Sequence, residues 1–215
     1  MISSECEPGP DCPLCPRLAQ FRHEQRAAFP DWFNAPVPSF GSTTAKLVIV
    51  GLAPGLKGAN RTGRPFTGDY AGDLLYETLR RYDFAEGEYR ASADDGLVLR
   101  DCLITNAVRC VPPQNKPLPA EARTCNRFLA ATLAYARPKA VLALGRIAHD
   151  AALDALDMRR AAFRFAHGAS HELPDTVLFD SYHCSRYNTN TGRLTTQMFE
   201  DVFAGIRRSI DSGKA

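Results

Sequence analysis

Seven cysteines stand in the chain, at Cys6, Cys12, Cys15, Cys102, Cys110, Cys125 and Cys184, and so many sulfurs call for a chemical explanation. Only Cys12 and Cys15 form a close pair, Cys12-Pro13-Leu14-Cys15. A thioredoxin-like use needs such a pair after a strand in a βαβ unit, and residues 10–16 are no such place. Four thiolates close a tetrahedral zinc site or hold an iron–sulfur cluster. Two more could come from Cys102, Cys110, Cys125 and Cys184. Spacing alone does not choose them, and scattered reduced thiols remain open.

The second chemical signal is where the charge lies. The formal net charge is only +2. Residues 51–68 hold no acid but carry Lys57, Arg61 and Arg64; residues 102–120 hold no acid but carry Arg109 and Lys116; residues 181–199 repeat the pattern with Arg186 and Arg193. Those three stretches sum to +7, so the rest of the chain sums to −5. Charge this segregated suits one positive face for a polyanion if the stretches meet in space, the alternative being chance clustering on solvated loops.

The third signal is residues 51–69, GLAPGLKGANRTGRPFTGD, with five glycines and two prolines. Such a segment bends sharply and leaves amide N–H groups exposed, which suits an anion or a flat polar ligand approached by main chain. It matches neither G-x-x-x-x-G-K-[ST] nor G-x-G-x-x-G, so nucleotide-phosphate cradles are disfavoured.

Short, apolar, β-branched runs predict the strands that hold these segments: residues 46–50, 101–108, 139–144 and 176–179. Helical periodicity lies between them, at 70–82 with Asp69 available as its cap, at 119–136, at 147–156 and at 196–210. Another helix, 17–28, precedes the first strand. Alternation of this kind predicts a three-layer α/β/α sandwich around a central, largely parallel four-stranded sheet. One domain fits 215 residues that are 45% apolar. Residues 1–11 are expected to be loose and 212–215 frayed. Residues 91–96 read as a surface turn with little to bury, and 29–44 as an ordered loop in which Trp32 and Phe33 pack. Ligands of open α/β sheets bind beyond the carboxyl ends of the strands, where all three basic stretches begin. No apolar run spans a membrane, and the polar, acidic N-terminus is unlike a secretory signal, so a reducing cytoplasm is expected.

The 51–69 loop resembles the first motif of family 5 (type B) uracil-DNA glycosylases. His183-Cys184-Ser185-Arg186-Tyr187-Asn188-Thr189, with Thr191-Gly192-Arg193-Leu194-Thr195 after it, resembles that family's second motif. Residues 106–117 (NAVRCVPPQNKP) resemble its middle stretch, and residues 36–41 (PVPSFG) also fit. The likeness runs in order from about Cys12 to the last helix.

The resemblance implies a structural four-iron four-sulfur cluster on Cys12, Cys15, Cys110 and Cys125, with zinc on the same thiolates as the alternative. Cys102 and Cys184 are then packing thiols, and Cys6 a bystander in the tail. The resemblance further implies excision of uracil flipped out of DNA, leaving an abasic site. By that analogy His183 hydrogen-bonds the uracil carbonyl oxygen as it gains charge. Related families carry Asp, Asn or Glu where this chain has Ala53, so another group must substitute. Asp69 is the candidate for steadying the sugar cation and positioning water, its plainer role being the helix cap. Phe66 is expected to stack on the base, Asn106 to read its edge, and Gly51, Asn60 and Asn188 to shape the pocket. Arg186, Tyr187 and Asn188 form the loop expected to enter the duplex. Lys57, Arg61, Arg64, Arg109, Lys116 and Arg193 are expected to grip phosphates without reading sequence. No lysine stands as an obvious Schiff-base nucleophile, so strand cleavage is not expected. The implied partner is double- or single-stranded DNA carrying uracil or other deaminated bases (hypoxanthine, xanthine, ethenocytosine), and the implied setting is a monomer at the nucleoid. The rival reading is a damage-sensing nucleic-acid-binding protein with a redox-active cluster.

Overall fold

The segments LVIVG, CLITN, AVLAL and VLFDS are buried along almost their whole length, as strands covered on both faces must be. The computed structural model describes residues 6–213. In chain order it forms α1 (Pro16–Ala28), β1 (Phe40–Gly41), β2 (Leu47–Gly51), α2 (Ala59–Thr62), α3 (Tyr70–Arg81), β3 (Ala85–Glu86), β4 (Val98–Leu99), β5 (Cys102–Asn106), α4 (Pro119–Ala136), β6 (Ala140–Leu144), α5 (Arg146–Ala155), β7 (Ser170–Glu172), β8 (Val177–Ser181), α6 (Arg186–Asn190) and α7 (Thr196–Asp211). The main sheet has the order β1-β5-β2-β6-β8-β7. Its four inner strands are parallel, in register Leu47 with Cys102, Leu47 with Ala140, and Ala140 with Val177.

Alternation within each strand divides the core into two layers. Leu47 and Ile49 face Leu75 and Leu79 of α3 and Phe199 and Phe203 of α7, while Val48 and Val50 face Leu129 and Leu133 of α4 and Ala152 of α5. Each fully buried Leu or Phe contributes about 1.5–3 kcal/mol relative to exposure. Helix ends are set locally. Pro119 opens α4, the Glu121 carboxylate accepts from the Leu118 N–H at 2.7 Å, and Arg137 turns into a left-handed conformation before Pro138. The Thr195 hydroxyl accepts from Met198 N to start α7.

The three layers and the four parallel strands match expectation, but the sheet has six strands rather than four. β1 and β7 are antiparallel edge additions of two and three residues, paired through Phe40–Ile104 and His171–Leu178. Ser170-His171-Glu172 has no apolar run to betray it.

Residues 6–11 also depart from expectation. Cys6 is buried; Glu7 accepts from Ser39 N at 3.0 Å and from Arg109 Nη1 at 3.0 Å; Asp11 pairs with Arg26 at 2.6 Å. The rest of the expected loose tail (1–5) and part of the expected frayed end (214–215) lie outside the described residues. Among the described residues no helix is long and apolar enough to cross a membrane.

The turn at 91–96 is not idle either. Asp95 is buried in a two-pronged ion pair with Arg64, both contacts at 2.7 Å, and the guanidinium lies 5.1 Å from the Phe40 ring centroid and 5.3 Å from that of Tyr76. The Arg64 hydrogen bond holds the Asp95 carboxyl well below the usual carboxylate range. Removing one partner of a buried pair leaves an uncompensated charge and costs about 3–5 kcal/mol. Asp95→Asn is therefore expected to lower urea-unfolding stability by that amount at pH 7. Because the folded-state pKa is depressed, the pair's contribution is complete above the unfolded value near 3.8 and erodes only below it. The difference between wild type and variant should hold from pH 7 to pH 5; a variant as stable as wild type would show the pair to be neutral.

Candidate active site

The four parallel strands end at one edge of the sheet. Gly51 closes β2, Asn106 closes β5, Gly145 follows β6, and His183 stands two residues past β8. A cleft of about 670 Å³ opens there, lined by Ala53, Lys57, Phe66, Asp69, Tyr70, Asn106, Asn115, His183 and Arg186 among others. A smaller groove of about 180 Å³ lies between α4 and α5, but its acids Asp150 and Asp154 are already paired with Arg146 and Arg160.

The 51–69 loop shapes the cleft from beneath. A Cβ on Gly51 would stand 2.4 Å from Asn106 Oδ1 and 2.7 Å from Phe66 Cζ, so both side chains reach the cleft only over bare backbone. Phe66 takes φ +52°, uncommon for a residue with a side chain. The surrounding bonds impose it: Arg64 is fixed by Asp95, the Tyr76 hydroxyl donates to Pro65 O at 2.6 Å, and the Tyr89 hydroxyl donates to Phe66 O at 3.2 Å. The Phe66 ring consequently lies 5.8 Å from that of His183, tilted by 26°.

Asp69 occupies the N-cap position of α3, its carboxylate facing the first-turn amides of Ala71 and Gly72 without a side-chain cap hydrogen bond of normal geometry. Its Oδ1 is buried and has no partner. Burial raises its pKa, and the amides of Ala71 and Gly72 draw it back only in part. Gly58 makes room for the carboxylate: a Cβ there would stand 2.5 Å from Oδ2.

Burial has the opposite effect on His183, pulling its pKa down to about 4, so the ring is neutral at physiological pH. Asn188 supports it from behind, donating from Nδ2 to the His183 carbonyl at 2.8 Å. Asn188 does not line the cleft, contrary to expectation. Asn60 does not line it either. It is fully buried, donating to Asn34 Oδ1 at 2.8 Å, and braces the loop from below.

The expected phosphate grip needs two corrections. Arg64 is 5% exposed and committed to Asp95, and Arg109 is 1% exposed and committed to Glu7, Ser39 and Thr132. Both are internal struts. Lys57, Arg61, Lys116, Arg186 and Arg193 are exposed as expected, with Lys57 and Arg186 on the cleft itself. Arg186 lies over the Tyr70 ring at 5.2 Å and Arg193 over Tyr182 at 4.5 Å, while Tyr187 is 71% exposed. Phe33 is 43% exposed, so it packs only in part.

Tyr70, Asn115 and Ser185 line the cleft but were given no role by sequence, although Asn115 and Ser185 lay within acid-free stretches and the motifs that carry the resemblance. A second omission is the buried network behind β8. His149 Nδ1 lies 2.7 Å from Asp180 Oδ1, His149 Nε2 lies 3.1 Å from Phe163 O, and His171 Nε2 lies 3.1 Å from Asp180 Oδ2. Burial lowers the His149 pKa, but Asp180 outweighs it and the net shift is upward.

Cys12, Cys15, Cys110 and Cys125 line one small apolar pocket with Leu18 and Phe128, where α1 meets the segment after β5 and the start of α4. Burial pushes the Cys15 thiol up to about 11 and the Cys110 thiol up to about 12. Among the described residues, the only side chains whose ligand atoms group within 4.8 Å are His149, His171 and Asp180, not these cysteines. Cys102 and Cys184 are fully buried as expected, Cys184 Sγ lying 3.4 Å from Ala71 O.

Residues 38–207 match the family model described as "Uracil DNA glycosylase superfamily". The chain is 44% identical to a type-5 uracil-DNA glycosylase of Thermus thermophilus, over 92% of this chain and 93% of that one. It is 38% identical to a type-5 enzyme of Pyrobaculum aerophilum, over 94% and 90%. Against one from Mycobacterium tuberculosis the identity is 43%, over 92% and 77%.

The electrostatics of the cleft are testable without any substrate. The ring-proton NMR signals of His183 are expected to stay fixed from pH 8 to 5.5 and to titrate near pH 4. A midpoint near 6.5 would show that the ring is solvated.

Proposed function

The chain belongs to the uracil DNA glycosylase superfamily, and on that footing we propose that it removes uracil from DNA by hydrolysing the bond between base and deoxyribose. The observation that carries the assignment of roles is the buried, unpartnered carboxylate oxygen of Asp69 in the same cleft as His183 and Phe66. Capping needs only one carboxylate oxygen, so the buried Oδ1 is left over for a role beyond the helix.

In this reading the flipped base enters beside Phe66, and the Asn106 amide, able to donate and accept, meets its polar edge. The N-glycosidic electron pair leaves with the base, placing negative charge on it and positive charge on the sugar. His183, neutral, donates from ring N–H to a uracil carbonyl oxygen as that charge grows. Asp69 faces the sugar cation and orients a water, whose oxygen bonds to the anomeric carbon and whose proton passes to the carboxylate. Ala53 and the size of the cleft leave room for larger deaminated bases such as hypoxanthine and xanthine. Lys57, at the cleft rim, grips phosphate with Arg61, Lys116, Arg186 and Arg193, and no step of this reading uses a lysine as a Schiff-base nucleophile, so the strand is left uncut at the abasic site. In this reading the protein acts as a single-domain monomer on chromosomal DNA in the cytoplasm.

Cys12, Cys15, Cys110 and Cys125 would hold a four-iron four-sulfur cluster. Two observations support the fit. Cys12, Cys15, Cys110 and Cys125 line one small pocket together with Leu18 and Phe128, a set of four thiolates that zinc could also use. A buried guanidinium nitrogen, Arg22 Nε, has no protein partner near the site. When bound, the cluster supplies cross-linking, joining the N-terminal segment to the middle of the domain.

Single-turnover excision from a uracil-containing duplex, with abasic sites cut by alkali, tests the roles. His183→Ala is expected to cost about 2.7–4 kcal/mol in the transition state. Asp69→Asn, which keeps shape and capping ability, is expected to slow excision at least tenfold with unchanged melting temperature. Wild-type rates in Asp69→Asn would return Asp69 to the helix cap. Duplex affinity is expected to fall with salt, and Lys57→Ala or Arg193→Ala to reduce the log–log slope by about 0.9; an unchanged slope in both would remove these residues from the phosphate face.

A further inference from the structure

Three arginines are almost wholly buried, and two of them have an acid. Arg64 has Asp95 and Arg109 has Glu7. The third, Arg22 of α1, is 1% exposed and forms no ion pair among the described residues. Asp11 feels its charge but is bonded to Arg26. A guanidinium withdrawn from water without an anion is strongly destabilising, so the counter-charge must come from elsewhere.

The contacts of Arg22 say where. Nη1 lies 3.6 Å from Cys110 Sγ, Nη2 donates to the Cys12 carbonyl at 3.1 Å, and Nε is buried with no partner. One side chain thus reaches across the cysteine pocket, touching a residue of the N-terminal pair and a residue of the middle stretch. A further N–H points at sulfur from the backbone: Arg109 N lies 3.4 Å from Cys125 Sγ. Thiolates around an iron–sulfur core carry net negative charge, and that anion would complete the Arg22 environment. Hydrogen bonds to cluster sulfurs and nearby charge are among the factors that set cluster potential.

We propose that Arg22 is the counter-charge and sulfur hydrogen-bond donor of the metal centre, raising its reduction potential and slowing its loss. This rests on the reading that the four cysteines hold a four-iron four-sulfur cluster. It makes Arg22 a positioning residue, remote from the uracil cleft.

The experiment begins with iron and sulfide stoichiometry and visible absorption of the wild-type protein. Zinc, or no metal, there would overturn the cluster reading and the proposal with it. Given a cluster, Arg22→Met and Arg22→Lys are compared by dithionite titration followed by electron paramagnetic resonance, and by the rate of bleaching in air with an iron chelator. In Arg22→Met the reduced-to-oxidised ratio at fixed potential is expected to fall at least tenfold, about 59 mV for a one-electron couple, and bleaching to quicken at least tenfold. Arg22→Lys, which keeps the charge but not the planar fork, is expected to fall between. If Arg22→Met does not fold, Arg22→Lys decides alone. Wild-type potential and wild-type bleaching in a loaded variant overturn the proposal while leaving the cluster intact.

Discussion

The ion pair between Arg64 and Asp95 fixes the path of a loop that has almost no regular structure of its own. Between β2 and α3 the chain has four glycines to loosen it, and a floppy connection could not hold two side chains at a cleft. The pair, the three aromatic rings around it and the two tyrosine hydroxyls bound to Pro65 and Phe66 carbonyls remove that freedom. Phe66 and Asp69 follow within five residues of the anchor, and their positions are inherited from it. Glycine supplies close approach here, and the buried charge supplies order.

The opposite pKa shifts of Asp69 and His183 come from the same cause. Both side chains are withdrawn from solvent, which disfavours either group's charged form. For the imidazole this means a neutral ring able to donate without first losing a proton. For the carboxylate it means greater basicity. One environment therefore shifts the two groups in opposite directions, as the proposed donor and base require.

The four parallel strands were legible because burial on both faces demands continuous β-branched runs. The cleft was legible because its loops begin at strand ends. The edge strands were hidden: Ser170–Glu172 owes its conformation to pairing with β8, not to its own pattern. Arg64 and Arg109 read as phosphate ligands because their acids stand 31 and 102 residues away, beyond any local window. Asp69 read both as a candidate catalytic carboxylate and as a cap, because it ends the glycine-rich loop at the cap position, and only the side-chain geometry shows that its Oδ1 is buried without a partner. The His149–Asp180–His171 network was invisible for a like reason, since its members come from three separate elements.

The docking of the N-terminal segment also bears on how the chain is made. Arg17 pairs with Glu121, Glu7 with Arg109 and Arg22 with Cys110, contacts that span 104, 102 and 88 residues. A ribosome adding about 5–20 residues per second needs on the order of ten seconds between releasing Cys15 and releasing Cys125. Throughout that interval the first helix has its local bonds to Asp11 and Asn34 but lacks Arg109, Cys110 and Glu121 as partners for the segment it belongs to. The segment bearing Cys12 and Cys15 thus leaves the ribosome well before its long-range partners exist, and it completes its docking only after they emerge.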